Sequence, residues 1–229
     1  MESALLSNPW TWLAIGYLLG SVPFGLLVTG IAGKGDVRKA GSGNIGTTNV
    51  LRVGGKGLAA LTLLLDAGKG AVAVWLGARF AIGGDILGGM GAFIGHCFPI
   101  FLAFRGGKGV ATYLGVALAL EPLAVAVFAL TWVLVAAIFR FSSLAGLAAA
   151  FVTPFVPFFL GRWDAGLLLA GMTAIVIAKH EANIARLLRK EEPKIGRRAD
   201  VAAPGSAPAD AEPDPIRAHD EPARGPRIG

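Results

Sequence analysis

Three stretches of this sequence concentrate side chains suited to gripping an anion. The first is Arg38-Lys39-Ala40-Gly41-Ser42-Gly43-Asn44-Ile45-Gly46-Thr47-Thr48-Asn49, with Arg52 just beyond. Gly41, Gly43 and Gly46 let the backbone turn tightly and bring N–H groups close to a ligand. Ser42, Thr47, Thr48 and Asn49 add neutral donors, and Arg52 a planar charged fork that matches phosphate. A cradle for a phosphate or an acyl phosphate is the expected outcome. The second stretch, Gly95-His96-Cys97-Phe98-Pro99, leads to Arg105-Gly106-Gly107-Lys108-Gly109. Here a cation sits on bare backbone at a helix start, where N–H groups and the helix dipole favour an anion. The third is Lys179-His180-Glu181-Ala182-Asn183-Ile184-Ala185-Arg186-Leu187, in which His180 and Asn183 share a face if one helix runs through both. Arg140-Phe141-Ser142-Ser143 adds a smaller element.

Several familiar chemistries fail on context. Residues 41–46 spell G-x-G-x-x-G with Asp66 beyond, but a dinucleotide fingerprint must follow a strand, and this one follows an apolar stretch of helical, membrane-spanning length. The Lys108 loop is not a P-loop, because Leu102 and Gly109 stand where glycine and Ser or Thr belong. Metal ligands are too few and badly spaced, so neither a metal nor another cofactor is expected. His96 reads either as a base or as a helix-end histidine satisfied by a neighbour.

The elements that carry these residues are membrane helices. The chain of 229 residues is 54% hydrophobic and only 16% charged, with 33 glycines. Residues 3–33 contain no Asp, Glu, Lys or Arg, and uncharged runs recur at 86–104, 109–120, 122–139, 141–161 and 165–178. A helical span needs about 20 apolar residues. The expected fold is an all-α polytopic bundle of about seven spans, near 8–31, 57–79, 85–104, 109–120, 122–140, 143–161 and 164–180. The shortest must tilt, recruit polar ends or lie inside the bundle. Asp66 and Lys69 interrupt the second span three residues apart, so they can pair, either locking helices together or walling a polar site. Net charge is +6. The basic residues sit at the ends of apolar runs, which argues for membrane orientation and anionic substrates and against nucleic acid. The basic loops hold all three polar stretches, so the positive-inside rule puts them in the cytoplasm, with the N-terminus outside and the C-terminus inside. Residues 1–192 form the membrane-integral domain, and from 193 to 229 the composition is that of a disordered cytoplasmic tail.

Gly41 to Asn49, Gly95-His96-Cys97-Phe98-Pro99, Gly106-Gly107-Lys108-Gly109-Val110-Ala111-Thr112 and Lys179-His180-x-x-Asn183-Ile184-x-Arg186-Leu187 together resemble the bacterial acyl-phosphate-dependent glycerol-3-phosphate acyltransferases. The match is in order and covers residues 1 to about 195. Thr47 departs from it, since the family usually carries alanine there. The resemblance implies a seven-helix enzyme of the bacterial inner membrane that acylates the 1-hydroxyl of glycerol 3-phosphate from an acyl phosphate, releasing lysophosphatidic acid and phosphate. Ser42, Lys108 and His180 are then the expected catalytic residues. Gly41, Gly43, Asn44, Thr48, Asn49, Arg52, Ser143 and Asn183 are the expected substrate contacts, Ser143 being preferred over Ser142 because Leu144 follows it. Either the leaving phosphate or His180 takes the attacking hydroxyl's proton. The His-x-x-x-x-Asp chemistry of other acyltransferases is excluded, because Phe101, Ala185 and Arg224 stand five beyond the three histidines. The rival reading is a transporter or channel for an organic anion. No inverted repeat supports it, and the polar motifs gather on one side rather than at mid-membrane.

Overall fold

A computed structural model describes residues 2–195. The tail expected from 193 onward lies, from residue 196, outside the described residues. Among the described residues all regular structure is helical, with α-helices in the order α1 Glu2–Leu6, α2 Pro9–Gly20, α3 Phe24–Ile31, α4 Thr47–Phe80, α5 Gly84–Cys97, α6 Val110–Leu120, α7 Pro122–Phe139, α8 Ser142–Val152, α9 Phe155–Phe159, α10 Trp163–Lys179 and α11 Glu181–Leu188. Helix starts follow local chemistry. Asn8 caps α2 by accepting from the Trp10 N–H at 3.0 Å, and Glu121 caps α7, each with proline at the first helical position.

This is an integral membrane bundle. Five helical segments, 9–31, 47–80, 84–102, 122–139 and 142–159, are long and apolar enough to cross a bilayer. The α10–α11 pair, bent by 60°, makes a sixth candidate. Helix α7 buries only Ala124 and Phe128 although it is apolar along its whole length, so its outer face belongs in lipid. The short helix α6 solves its length problem by lying inside the protein, with Ala111, Thr112, Tyr113, Gly115, Val116, Ala117 and Leu120 all buried. Tyr113 anchors the core there. Its ring packs near Phe93 and Phe128, and its hydroxyl meets Thr173 Oγ1 at 3.2 Å and donates to Ala150 O at 3.3 Å.

One expectation needs correction. The segment before residue 57 is not all loop, because helix begins at Thr47 and is interrupted at Gly55 (φ 83°, ψ −178°). Only a residue free of Cβ strain takes that conformation easily, so Gly55 turns one long helix into a short N-terminal piece and a membrane span.

Helices α2 and α5 approach until backbone meets backbone. A Cβ on Gly20 would lie 2.6 Å from the carbonyl carbon of Ala92, and one on Gly91 only 2.8 Å from the Tyr17 nitrogen. Gly91→Leu should therefore force the helices apart, costing about 1–3 kcal/mol or more. Gly171→Leu, where no atom lies within 4 Å, should be near neutral. Thermal unfolding in detergent, followed by circular dichroism, compares the two.

Candidate active site

Asn49 builds the glycine-rich loop. It sits on the first turn of α4, 2% exposed, with its amide turned back into the loop. Its Nδ2 donates to Val37 O at 2.9 Å, Ala40 O at 3.0 Å and Asn44 O at 2.9 Å, while Oδ1 accepts from the Ser42 N–H at 2.9 Å. The Asn44 side chain in turn accepts from the Gly46 N–H at 2.8 Å. Both amides are thus engaged with loop backbone. Gly41 adopts φ +60°, and any Cβ there would fall on Asn49 Oδ1, so this turn tolerates glycine alone. Beneath the loop, Val37, Ile45, Val50 and Ala59 form an apolar plug against which Leu102 packs. What the loop presents outward is Ser42, Thr48 and Arg52, all exposed. Gly46, the residue before α4, caps it with no side chain, which leaves the dipole end of that helix for an anion. Arg38 is paired with Asp36 at 2.7 Å.

Lys108 lies on a second loop, after two residues with positive φ, Ala103 and Phe104. Gly109 (φ +87°) then starts α6. The Lys108 Nζ donates to Asn183 Oδ1. Asn183 Nδ2 donates to Glu192 Oε1 at 2.7 Å, Ser143 Oγ donates to the same oxygen at 2.6 Å, and Arg186 Nε donates to Oε2 at 2.7 Å. One carboxylate therefore ties together residues from α8, α11 and the segment after it. Burial would raise the Glu192 carboxyl, but the hydrogen bonds from Ser143, Asn183 and Arg186 outweigh it and hold the group below the usual carboxylate range. Burial depresses Lys108 to about 8, against the pull of Glu192 and with help from the charges of Arg186 and Arg52. Arg52 stands near the start of α4, just past the first loop, and is exposed.

His180 and Asn183 do not share a continuous helix, as the spacing suggested. The chain bends by 60° at His180, which swings α11 across and brings Asn183 to Lys108. His180 is 4% exposed, with Nδ1 2.7 Å from Val176 O. A carbonyl only accepts, so Nδ1 carries the proton and Nε2 keeps its lone pair. Lys179 stands over the Phe98 ring at 4.6 Å. The structure thus gathers Lys108, Asn183 and Ser143 around Glu192, while Ser42, Thr48 and Arg52 lie on the first loop and the start of α4. Asn44 and Asn49 lie at the site's edge with their side chains turned into the loop. Thr47 Oγ1 is buried with no hydrogen-bond partner among the described residues.

Sequence reasoning missed Glu192. Its one signal was an acidic residue six positions beyond Arg186, just past the end of α11.

Residues 10–190 match the family model described as glycerol-3-phosphate acyltransferase. The chain is 56% identical over 184 residues to the glycerol-3-phosphate acyltransferase of Mesorhizobium japonicum, covering 80% of this chain and 94% of that one. It is 55% identical over 192 residues to the protein of that name from Allorhizobium ampelinum, covering 81% and 91%. Among solved structures it is similar to PlsY (YgiH), an integral membrane glycerol 3-phosphate acyltransferase. The glycerol 3-phosphate form superposes with a TM-score of 0.78 at 33% identity, covering 82% of this chain and 96% of that one. The lysophosphatidic acid form gives 0.76 at the same identity, covering 82% and 95%.

Proposed function

Because the chain belongs to the glycerol-3-phosphate acyltransferase family, we propose that it acylates the 1-hydroxyl of glycerol 3-phosphate from an acyl phosphate. The products are lysophosphatidic acid and inorganic phosphate. The observation that carries this reading is Lys108 on its glycine-flanked loop, donating to Asn183, which with Arg186 is held by the Glu192 carboxylate. Lys108 and the exposed Arg52 supply a cation for each of two phosphate groups, one on each substrate, while Arg186 is spent on Glu192.

An acyl phosphate is already activated, so the protein's task is to position and to stabilise charge. The hydroxyl oxygen attacks the acyl carbonyl carbon, and the bond from that carbon to the phosphate oxygen breaks with its electron pair leaving on phosphate. Lys108 neutralises the departing charge. The proton of the attacking hydroxyl goes to the leaving phosphate, and His180 Nε2 orients the glycerol as a hydrogen-bond acceptor. Ser42 and Thr48 offer hydroxyls, Gly41 offers a backbone N–H group, and Arg52 grips a phosphate, whereas the Gly43 N–H is already given to Ala40 O at 3.1 Å and shapes the loop instead. Asn183 and Ser143 act around Glu192, which sets how Lys108 is aimed. A rate that followed the titration of a histidine would move the proton to His180 instead. By the positive-inside rule this end of the bundle faces the cytoplasm of a bacterial inner membrane, and the N-terminus lies outside.

Purified protein should release phosphate and form lysophosphatidic acid only when palmitoyl phosphate and glycerol 3-phosphate are both present. Palmitoyl-CoA, which lacks the acyl–phosphate bond, should not replace palmitoyl phosphate. Equal turnover with the thioester would overturn the donor assignment. No turnover with either donor would overturn the enzyme reading and leave anion flux in liposomes as the activity to measure.

A further inference from the structure

We infer that Asp66, Lys69 and His96 form a buried ionic support that holds the Lys108 loop in its binding pose, with His96 as the positioning residue that touches the loop. The three are 1%, 7% and 3% exposed, inside the membrane-spanning part of the bundle. Ionisable groups at such a place are expensive, and apolar side chains of similar volume would serve simple packing as well or better. What the ionic set offers instead is direction. Lys69 Nζ donates to Val22 O at 2.9 Å, in the break between α2 and α3, and stands 2.7 Å from Asp66 Oδ1. His96 Nδ1 faces the same carboxylate oxygen at 3.5 Å and has no hydrogen-bond partner among the described residues.

The other side of His96 meets the loop. Its carbonyl accepts from the Gly107 N–H at 3.0 Å. A Cβ on Gly107 would fall on His96 Nε2 and lie 2.9 Å from Cε1, so Gly107 presses its bare Cα against the imidazole. Gly106 packs in the same way, its Cβ position only 2.7 Å from Cys97 O. Lys108 is the next residue. A loop of glycines has no side chains to fix it and much conformational freedom to lose. A rigid partner must hold it, and His96, buried with its Nδ1 3.5 Å from the Asp66 carboxylate, is that partner. This inference rests on the acyl-transfer reading, because the loop is taken to hold a substrate phosphate.

The test is steady-state kinetics with each substrate varied, together with direct binding of glycerol 3-phosphate by calorimetry, on full-length protein in detergent. His96→Ala and Asp66→Asn should raise KM for the substrate whose phosphate the loop holds by roughly tenfold or more, the scale of lost support around a binding group. Asp66→Asn alone strands the Lys69 charge, so the paired variant D66N/K69M tests the same point without a buried orphan. Gly107→Ala should also raise KM, and H96A/G107A should bind better than G107A alone, because removing the ring makes room for the methyl group. A support for the fold alone would lower the active fraction and the melting temperature and leave KM unchanged, and that result overturns the inference. If the wild type neither binds glycerol 3-phosphate nor turns over, the acyl-transfer reading falls and takes this one with it. An active wild type whose variants keep its KM sinks this inference only.

Discussion

Replacing Lys108 with methionine should lower kcat/KM by roughly 10²–10³, the loss expected when one group that stabilises developing charge is removed from a preorganised site. Methionine keeps the length of the side chain and most of its packing, so the deficit measures the cation. The wild-type pH profile should carry the same signature. Burial holds Lys108 at about 8 instead of 10.5, so the free enzyme loses the cation as pH rises through about 8. kcat/KM, which reports the free enzyme, should fall there. kcat should persist to higher pH, because a bound phosphate favours the charged amine. Stability runs the other way. Between about 8 and 10.5 the unfolded lysine still binds a proton that the folded one has released, so this group's contribution to unfolding free energy rises with pH across that window. Lys108→Met should abolish both slopes. Parallel pH series of kcat/KM and of melting temperature decide it, and a kcat/KM that stays level to pH 10 would show that the cation is not required.

Asn49 is the second position where a small change should have a large effect. Asn49→Ala strips the loop of a donor to three carbonyls and an acceptor for the Ser42 N–H. At about 1–3 kcal/mol for each buried group left unpaired, with water recovering part, a loss of about 3 kcal/mol is expected. Asn49→Asp has the same shape and should be at least as harmful. A carboxylate only accepts, and it would face the carbonyl oxygens of Val37, Ala40 and Asn44. Thermal unfolding in detergent should place both variants below wild type, with kcat/KM lost as Ser42 drifts. An aspartate variant with wild-type stability would mean that the amide is not the clasp of the loop.

Much of this was readable in the residues. Uncharged runs of bilayer length announced a membrane bundle. The Asp66/Lys69 spacing announced an ion pair, which the structure shows at 2.7 Å. These are short-range properties, decided within a turn or a single span. Other features were invisible at that range. Gly55 and His180 are breaks that reach the eye only as residues inside apolar or helical stretches.

What the sequence by itself determined is that the chain is a helical membrane bundle of the glycerol-3-phosphate acyltransferase family. What only the tertiary structure decided is which side chains meet. Glu192 between Ser143, Asn183 and Arg186, the reach of Lys108 to Asn183, and the imidazole of His96 under Gly107 are contacts between residues far apart in the chain. They depend on how each helix is rotated and how closely it approaches its neighbour. Those quantities are set by backbone-on-backbone packing at small residues such as Gly20 and Gly91, and packing is a property of pairs of helices that no single stretch of sequence contains.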